Sequence, residues 1–400
     1  MRQRKVLFFS EAVSLAHVAR PLVLAKTLHL AGWDVSFASA PQFAVCTGDM
    51  PFPHLGIDSI SPGRFLERLA AGAPLYRMKE LADYILDDQR IIEQERPDLI
   101  VGDFRLSLSI SARVAGIPYL SICNAHWSPW RKPGAMTVPD IPLVTWFGTR
   151  LIEPLFRLSW PISSAIHAAP MNALRKKYGL PPLAGVEAVY TDGDVVLYAD
   201  TPELVPCHHL PRNHHYLGPI LWSPPIAPPD WWDSIPEGPS AYVTLGSTGR
   251  AELLPMVIDA CEDEGLAVIA ATAGRTDLPT SHGRRRSAPF LPGELASART
   301  DLTICNGGSA TAYQALAAGH PVLGICSNMD QFLTMSCIEQ AHAGRRLRAS
   351  TCERSQIRAD IRRILQGKEH SAGATAIKES FDQYRCTERF VELAHASLAD

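Results

Sequence analysis

The chain has 400 residues, long for one core, and two domains of about 200 are the natural division. Hydrophobic residues at 46% and charged residues at 20% describe an ordinary globular protein rather than a disordered or fibrous one, and a formal net charge of −3 argues against bulk nucleic-acid binding. The nine cysteines are scattered without a C-x-x-C pair, which fits a reducing cytosol better than a disulfide framework.

The N-terminus, MRQRK followed by VLFF, imitates a secretory leader. Glu11 interrupts its apolar run short of the about 7–15 residues that a leader needs. Val6 to Phe9 is therefore expected to be a first strand. No run approaches the ~18 apolar residues of a membrane span, and a cytoplasmic location is expected. The loop SEAVSLAH leads into a helix beginning near Val18, with Pro21 in its first turn and Gly32 at its end. Asp34 to Ser39 is the second strand. This βαβ opening lacks a glycine fingerprint, so no dinucleotide is expected in this half. Tyr76 to Glu95 reads as a helix, Asp98 to Asp103 as a strand, Leu106 to Ala115 as a helix ended by Gly116, and Pro118 to Cys123 as a strand. From Asn124 to Gly148 the chain is irregular and aromatic, with Trp127, Trp130, Trp146 and Phe147. So long a loop in an α/β domain usually wraps a pocket.

Cys207 to His215, CHHLPRNHH, has imidazoles enough for a metal, but its gaps do not match a zinc spacing well and no metal is expected. Seven prolines between Pro219 and Pro239 mark a semi-rigid connector. Residues 1–218 and 240–380 would then be the two domains, with 381–400 an amphipathic helical tail. After the connector, Ala241 to Leu245 restarts the pattern, followed by the loop Gly246 to Gly249 and a helix to Glu264. That loop is expected to be an anion site at a helix N-terminus, with the Ser247 and Thr248 hydroxyls. Ala288 to Pro292 looks like a short strand, and Arg284 to Arg286 like a solvated loop.

The stretch Asp301 to Gln331, DLTICNGGSATAYQALAAGHPVLGICSNMDQ, reads as two consecutive strand–loop–helix units. The first helix, Thr311 to Ala318, stops at Gly319; the second, Phe332 to Ala343, is closed by Gly344. Strands joined through helices are parallel neighbours, so both loops open on one carboxyl edge. In NGGSAT the amides of Gly308 to Thr311, the Asn306 amide and the Ser309 and Thr311 hydroxyls suit a phosphate. In SNMDQ, Asp330 and Gln331 suit the vicinal hydroxyls of a sugar. A diphosphate beside a hexose describes a nucleotide sugar. For either loop alone, a plain Gly-Gly turn or an N-capping Asp is the alternative.

At these residues the chain resembles the nucleotide-sugar-dependent glycosyltransferases built from two facing Rossmann-like domains (GT-B), in the branch of antibiotic, macrolide and plant natural-product enzymes. Their signature is His-Gly-Gly, a spacer, a Thr or Ser, a helix, an apolar strand, then Asp-Gln or Glu-Gln. The resemblance implies that Asn306, Ala310 and Thr311 face the diphosphate and that Gln314 lies near the ribose. It also implies that backbone around Leu291 reads the base, that Asp330 and Gln331 hold the sugar, and that the tail crosses back to the first domain. Asn306 stands where most relatives have His; an amide donates to phosphate but carries no charge.

His17 follows the first strand, and an imidazole there suits proton abstraction from an acceptor hydroxyl. The family has a Gly-His pair at this point, whereas Ala16 precedes His17 here. Asp103 ends DLIVGD, where the family carries an Asp that pairs with the base. Phe104 follows it. The structural alternatives are a helix-capping surface His and an N-capping Asp. The implied reaction is inverting transfer of a hexose from a UDP- or TDP-sugar to a hydroxyl of a small, apolar, aromatic acceptor bordered by Phe104, Trp127 and Trp146. The nucleotide sugar is a co-substrate and no resident cofactor or metal is required. Glu11 stands next in line as base. A homodimer is compatible with this reading. Its rivals are a nucleotide-sugar epimerase or hydrolase on the same fold and a non-enzymatic, degenerate partner protein.

Overall fold

The computed structural model describes residues 3–43, 48–132 and 137–398. Two compact units emerge. The first comprises Met1–Pro133, Pro154–Ile220 and Tyr384–Asp400; the second comprises Gly134–Glu153 and Leu221–Gln383. Residues 134–153, expected within the first domain, thus cluster with the second half of the chain.

Among the described residues the first unit holds a seven-stranded sheet. Its strands are β1 Lys5–Ser10, β2 Asp34–Ser39, β3 His54–Gly56, β4 Leu99–Asp103, β5 Tyr119–Cys123, β6 Val195–Tyr198 and β7 His214–Tyr216. They lie in the order β3-β2-β1-β4-β5-β6-β7 and all pair in parallel. Runs such as VLFF and LIV are buried throughout, as strands covered by helices on both faces must be. The order reverses between β1 and β4, where Ser10 pairs with Asp103. Crevices at such reversals, beyond the carboxyl ends of the strands, are where open α/β sheets bind ligands.

The helix after β1 runs Leu15–Leu30, three residues earlier than expected, so Pro21 lies inside it. A proline there cannot donate to the carbonyl four residues back, that of His17. The Ser10 hydroxyl donates to that carbonyl instead, at 2.7 Å. A further helix, Thr149–Lys177, has no counterpart among the expected elements; Pro154, Pro161 and Pro170 sit within it. The tail is two helices, Lys368–Gln383 and Cys386–Ala396, rather than one from 381. The second returns to the first unit and buries Phe390 and Ala394 against the face of β1 and the helix Leu15–Leu30.

The second unit's sheet has β8 Ser240–Thr244, β9 Ala267–Ala271, β10 Ser281–His282, β11 Arg285–Ala288, β12 Leu302–Cys305, β13 Val322–Cys326 and β14 Gly344–Arg348. Among the described residues it has seven strands, in the order β10-β11-β9-β8-β12-β13-β14, parallel except for the β10–β11 hairpin. Three local expectations change. Gly344 opens β14 instead of closing a helix, and the helix before it is Met329–Gln340. The strand placed at Ala288–Pro292 is Arg285–Ala288, so Arg285 and Arg286 are strand residues and not a solvated loop. After β8 a 3-10 turn, Ala251–Leu253, precedes the helix Leu254–Asp263. The Ser247 and Thr248 amides therefore do not lie at an α-helix N-terminus.

Among the described residues no helix is long and apolar enough to cross a membrane.

Candidate active site

The first constellation forms where β1 and β4 end side by side. His17 occupies the first turn of the helix Leu15–Leu30, and its Nδ1 lies 2.7 Å from Asp103 Oδ1. The Asp103 side chain has no exposed surface, while that of His17 keeps 22%. A buried carboxylate accepts a hydrogen from Nδ1, which fixes the tautomer and leaves the Nε2 lone pair available to take a proton. Arg20, one helical turn beyond His17, grips the same carboxylate with both prongs: Nε to Oδ2 at 2.8 Å and Nη2 to Oδ1 at 2.9 Å. Its Nη2 is 3.2 Å from His17 Nδ1. Two N–H groups face each other there, and the carboxylate between them holds both. Arg20 Nη1 reaches Asn124 Oδ1 at 2.6 Å, and the Asn124 amide donates to Asp200 at 3.1 Å. The ends of β1, β4, β5 and β6 are thus joined by one polar chain. Arg20, Asn124 and Asp200 were not among the expected residues, although the His17–Arg20 spacing of one turn is visible in the sequence.

Phe104 has a left-handed backbone, φ +58°, uncommon for a bulky residue. Its ring stacks on the His17 imidazole with centroids 4.6 Å apart and planes 14° apart. Phe65 and Tyr190 meet Phe104 edge-on at 6.1 and 5.1 Å, and Trp127 meets Tyr190 at 5.0 Å. An aromatic wall thus extends from the imidazole through Phe104 to Trp127. Trp146 belongs to the other unit, on the short helix Pro142–Phe147, and is 72% exposed.

Glu11 is not placed to act as a base. It has no exposed surface and pairs with Arg105 at 3.0 Å, while Asp88 takes the other side of that guanidinium at 2.9 Å. In the imidazole-rich stretch from Cys207, His214 Nδ1 meets the Tyr198 hydroxyl at 2.7 Å. Among the described residues no group of His, Cys, Asp and Glu is arranged to hold a metal.

The second constellation forms at the reversal in the other sheet, between β8 and β12. Asn306 Nδ2 donates to Thr248 Oγ1 at 2.9 Å, and Asn306 Oδ1 accepts from the Gly308 amide at 3.1 Å. One carboxamide therefore ties the loop after β8 to the loop after β12. Gly307 sits at φ +82°, and a Cβ there would come within 2.7 Å of Cys326 Sγ, so the turn admits only glycine. The helix Ser309–Ala318 begins immediately after, with the Ala310 and Thr311 amides in its first turn and Ala310 exposed. Pairing of β12 with β13 brings the loop Ser327–Gln331 alongside, as expected.

In that loop Gln331 is 1% exposed. Its Oε1 accepts from the Ser327 amide at 2.8 Å and the Ser327 hydroxyl at 3.1 Å, and its backbone amide donates to Asn328 Oδ1. This is a capping box, and the side chain shapes the loop. Asp330 stands in the helix's first turn, half-buried. Gln314 Nε2 donates to the Trp222 carbonyl at 2.6 Å and so fastens the proline-rich connector to this unit. Leu291 is 3% exposed, with its side chain in an apolar cluster with Tyr242 and Ile269.

Residues 137–147 add what sequence reading missed. The Asp140 amide donates to the Ser327 carbonyl at 2.8 Å, and the Asp140 carboxylate accepts from Arg348 Nη1 at 2.5 Å and the Ser350 amide at 2.9 Å. Arg348 also bonds the Val138 carbonyl at 2.7 Å and covers the Phe332 ring at 4.5 Å. A segment from the first half of the chain thereby braces the loop that carries Asp330.

No family model matches the chain. A PGL/p-HBAD biosynthesis glycosyltransferase from Mycobacterium tuberculosis is 45% identical over 382 residues, covering 95% of this chain and 89% of that protein. A PGL/p-HBAD biosynthesis rhamnosyltransferase from Mycobacterium bovis BCG is 43% identical over 386 residues, 96% of this chain and 86% of that protein. A third relative, from the same strain, is named inactive; it is 46% identical over 261 residues, 65% of this chain and 71% of its own. Among solved structures, spinosyn rhamnosyltransferase SpnG complexed with thymidine diphosphate covers 98% of this chain, and all of its own chain is covered, with a TM-score of 0.67 at 18% identity. At that identity the likeness concerns the fold, and it matches two parallel-sheet units of the GT-B kind. Identity of this extent with the first two mycobacterial enzymes shows more than a fold: the chain belongs to the family of the PGL/p-HBAD biosynthesis glycosyltransferases and transfers sugars.

Proposed function

We propose that the sugar is a hexose carried by UDP or TDP, that the acceptor is a hydroxyl on a small, apolar, aromatic molecule, and that transfer inverts the anomeric centre. The observation that carries this reading is the His17–Asp103 pair, an imidazole with exposed surface held by a fully buried carboxylate. The acceptor oxygen attacks the anomeric carbon from the face opposite the diphosphate. The bond from that carbon to the diphosphate oxygen breaks, and the hydroxyl proton passes to His17 Nε2. Charge on the sugar ring is oxocarbenium-like in the transition state. The departing diphosphate is met by the positive end of the helix Ser309–Ala318, the Ala310 and Thr311 amides, the Ser309 hydroxyl and the loop pair joined by Asn306, with Ser247 and Thr248 beside it. That field stands in for a metal ion, and the nucleotide sugar is the only group consumed besides the acceptor. Asp330 binds sugar hydroxyls from the loop that Gln331 shapes. Backbone near Leu291 faces the base, and Gln314 holds its connector near the ribose.

Support for the nucleotide comes from the thymidine diphosphate bound by a protein of like fold, and support for the acceptor from the aromatic wall beside His17. An intact, ordered dyad also weighs against a degenerate partner protein.

The test is turnover of His17→Ala on phenols of graded acidity. General-base assistance contributes about 10²–10⁴-fold, so the least acidic phenols lose that much and phenols already ionised lose little. Asp103→Asn falls between wild type and His17→Ala. Near wild-type rates for His17→Ala on the least acidic phenols would rule out the dyad as the base.

A further inference from the structure

The helix Thr149–Lys177 is apolar on two opposite faces. Its inner face, in the part that belongs to the first unit, buries Ser164, Ala168, Met171 and Leu174. Its outer face presents Leu155 at 54%, Leu158 at 80%, Ile162 at 68% and Ile166 at 54% exposure. Steps of three and four residues align these four on one line, and exposed Pro161, Ala165, Ala169 and Ala173 continue it. Single exposed leucines need no explanation, but a continuous stripe of them marks a contact surface.

Charge and size point to what covers it. From Pro154 to Lys177 the helix contains no aspartate or glutamate. Its exposed charges are Lys176 and Lys177, which flank the end of the stripe, and Arg157, which the helical spacing sets on the opposite side. The nearby carboxylate, Glu187, is turned inward, where Trp160 and Ser164 donate to it at 2.8 Å. The stripe is about 27 Å long at 1.5 Å per residue and about 10 Å wide, on the order of 270 Å². A stable pair of copies needs about 800 Å² per partner, so the stripe is too small to hold a dimer. An apolar line that ends on two lysines and carries no carboxylate along it has the make-up of a helix lying in the plane of a lipid interface.

We propose that this face seats the enzyme on an anionic lipid bilayer, with Leu155, Leu158, Ile162 and Ile166 at the headgroup–acyl boundary and Lys176 and Lys177 against lipid phosphates. The inference does not depend on the acceptor or nucleotide assigned above.

The experiment is co-sedimentation of the full chain with vesicles of phosphatidylcholine alone and of phosphatidylcholine with about one-third phosphatidylglycerol. The enzyme is expected to pellet with the anionic vesicles and to be released by salt, since the attraction is screened. Lys176→Glu with Lys177→Glu should weaken that binding by at least about fivefold per residue. Leu158→Glu with Ile162→Glu should weaken it by on the order of tenfold or more. All four side chains are exposed, so wild-type melting temperatures are expected for both variants. If the leucine–isoleucine variant fails to fold, the lysine variant alone decides. Failure of the wild type to pellet with anionic vesicles at low salt would overturn the proposal. So would equal pelleting of wild type and folded variants, or a dimer in light scattering that Leu158→Glu dissolves, which would show that the stripe pairs copies.

Discussion

His17 owes its position to a proline. Pro21 leaves the His17 carbonyl without its helical donor, and the Ser10 hydroxyl, at the end of β1, supplies one at 2.7 Å. Histidine and strand end are thereby pinned together, four residues before the point where a helix would ordinarily resist a proline. Directly beneath, Glu11 and Asp88 share the one guanidinium of Arg105. Burial raises both carboxyls above their ordinary values, and the arginine offsets this only in part. Above about pH 4.5 the folded protein therefore retains a share of a proton that the unfolded chain has released. Raising the pH through the folded-state value must then favour unfolding, because unfolding frees that proton. Glu11→Gln should remove part of this loss. Its melting temperature is expected to fall less than that of wild type as the pH rises above about 4.5, the ordinary value of the carboxyl; parallel curves would mean that Glu11 does not hold the proton. At this scale the resemblance singled out His17 and Asp103, and the structure brings their side chains within 2.7 Å of each other. Arg20 was missed because a surface helix commonly carries an arginine, and only the strand order reveals that this one faces Asp103.

The strands beside the two reversals were legible because period and burial dominate them, as in LIVGD and VLGIC, whereas β3, β6, β7, β9, β10 and β14 were not expected. The helix Thr149–Lys177 had no expected counterpart, and its three prolines stand against its helical pattern. Packing of its inner face overrides their cost. The brace at residues 137–147 was lost for a different reason, since nothing local tells a loop which half of the chain it will join. Asp140 and Arg348 are 208 residues apart, with side chains only 5% and 10% exposed. A charged pair so buried depends on both members. Asp140→Asn keeps an acceptor oxygen but weakens the grip of Arg348, and the loop from Ser327 is expected to shift. Affinity for an intact nucleotide sugar should drop about tenfold, a difference near 1.4 kcal/mol, while the free nucleoside diphosphate should bind within about twofold of wild type. Calorimetric titration of both ligands checks this. Equal losses for the two would assign the brace to the fold of the unit and remove it from the sugar's environment.

At the scale of the molecule, each unit repeats one plan, a parallel sheet whose order reverses beside its central strand, with the chemistry-bearing loops at that reversal. The paired strand–loop–helix pattern made the plan readable, whereas the interleaving of segments was not: the first unit is assembled from three pieces of chain and is finished only by the last helix. Phe390 and Ala394 of that helix have no exposed surface, and the Phe390 ring lies 6.2 Å from that of Phe8 on β1. Through Phe8 and the buried face of the helix Leu15–Leu30, the tail supports the same strand and helix that position His17. Truncating a buried phenylalanine costs about 3–5 kcal/mol, because the cavity closes only in part. Phe390→Ala should therefore destabilise the first unit by about that amount and lower turnover. The loops around Asn306 and Thr248 belong to the second unit, so a nucleoside diphosphate should still bind within about twofold of wild type. Denaturant unfolding followed by titration with UDP and TDP below the transition separates the two effects. A parallel collapse of nucleotide affinity would show that the second unit does not keep its fold without the first.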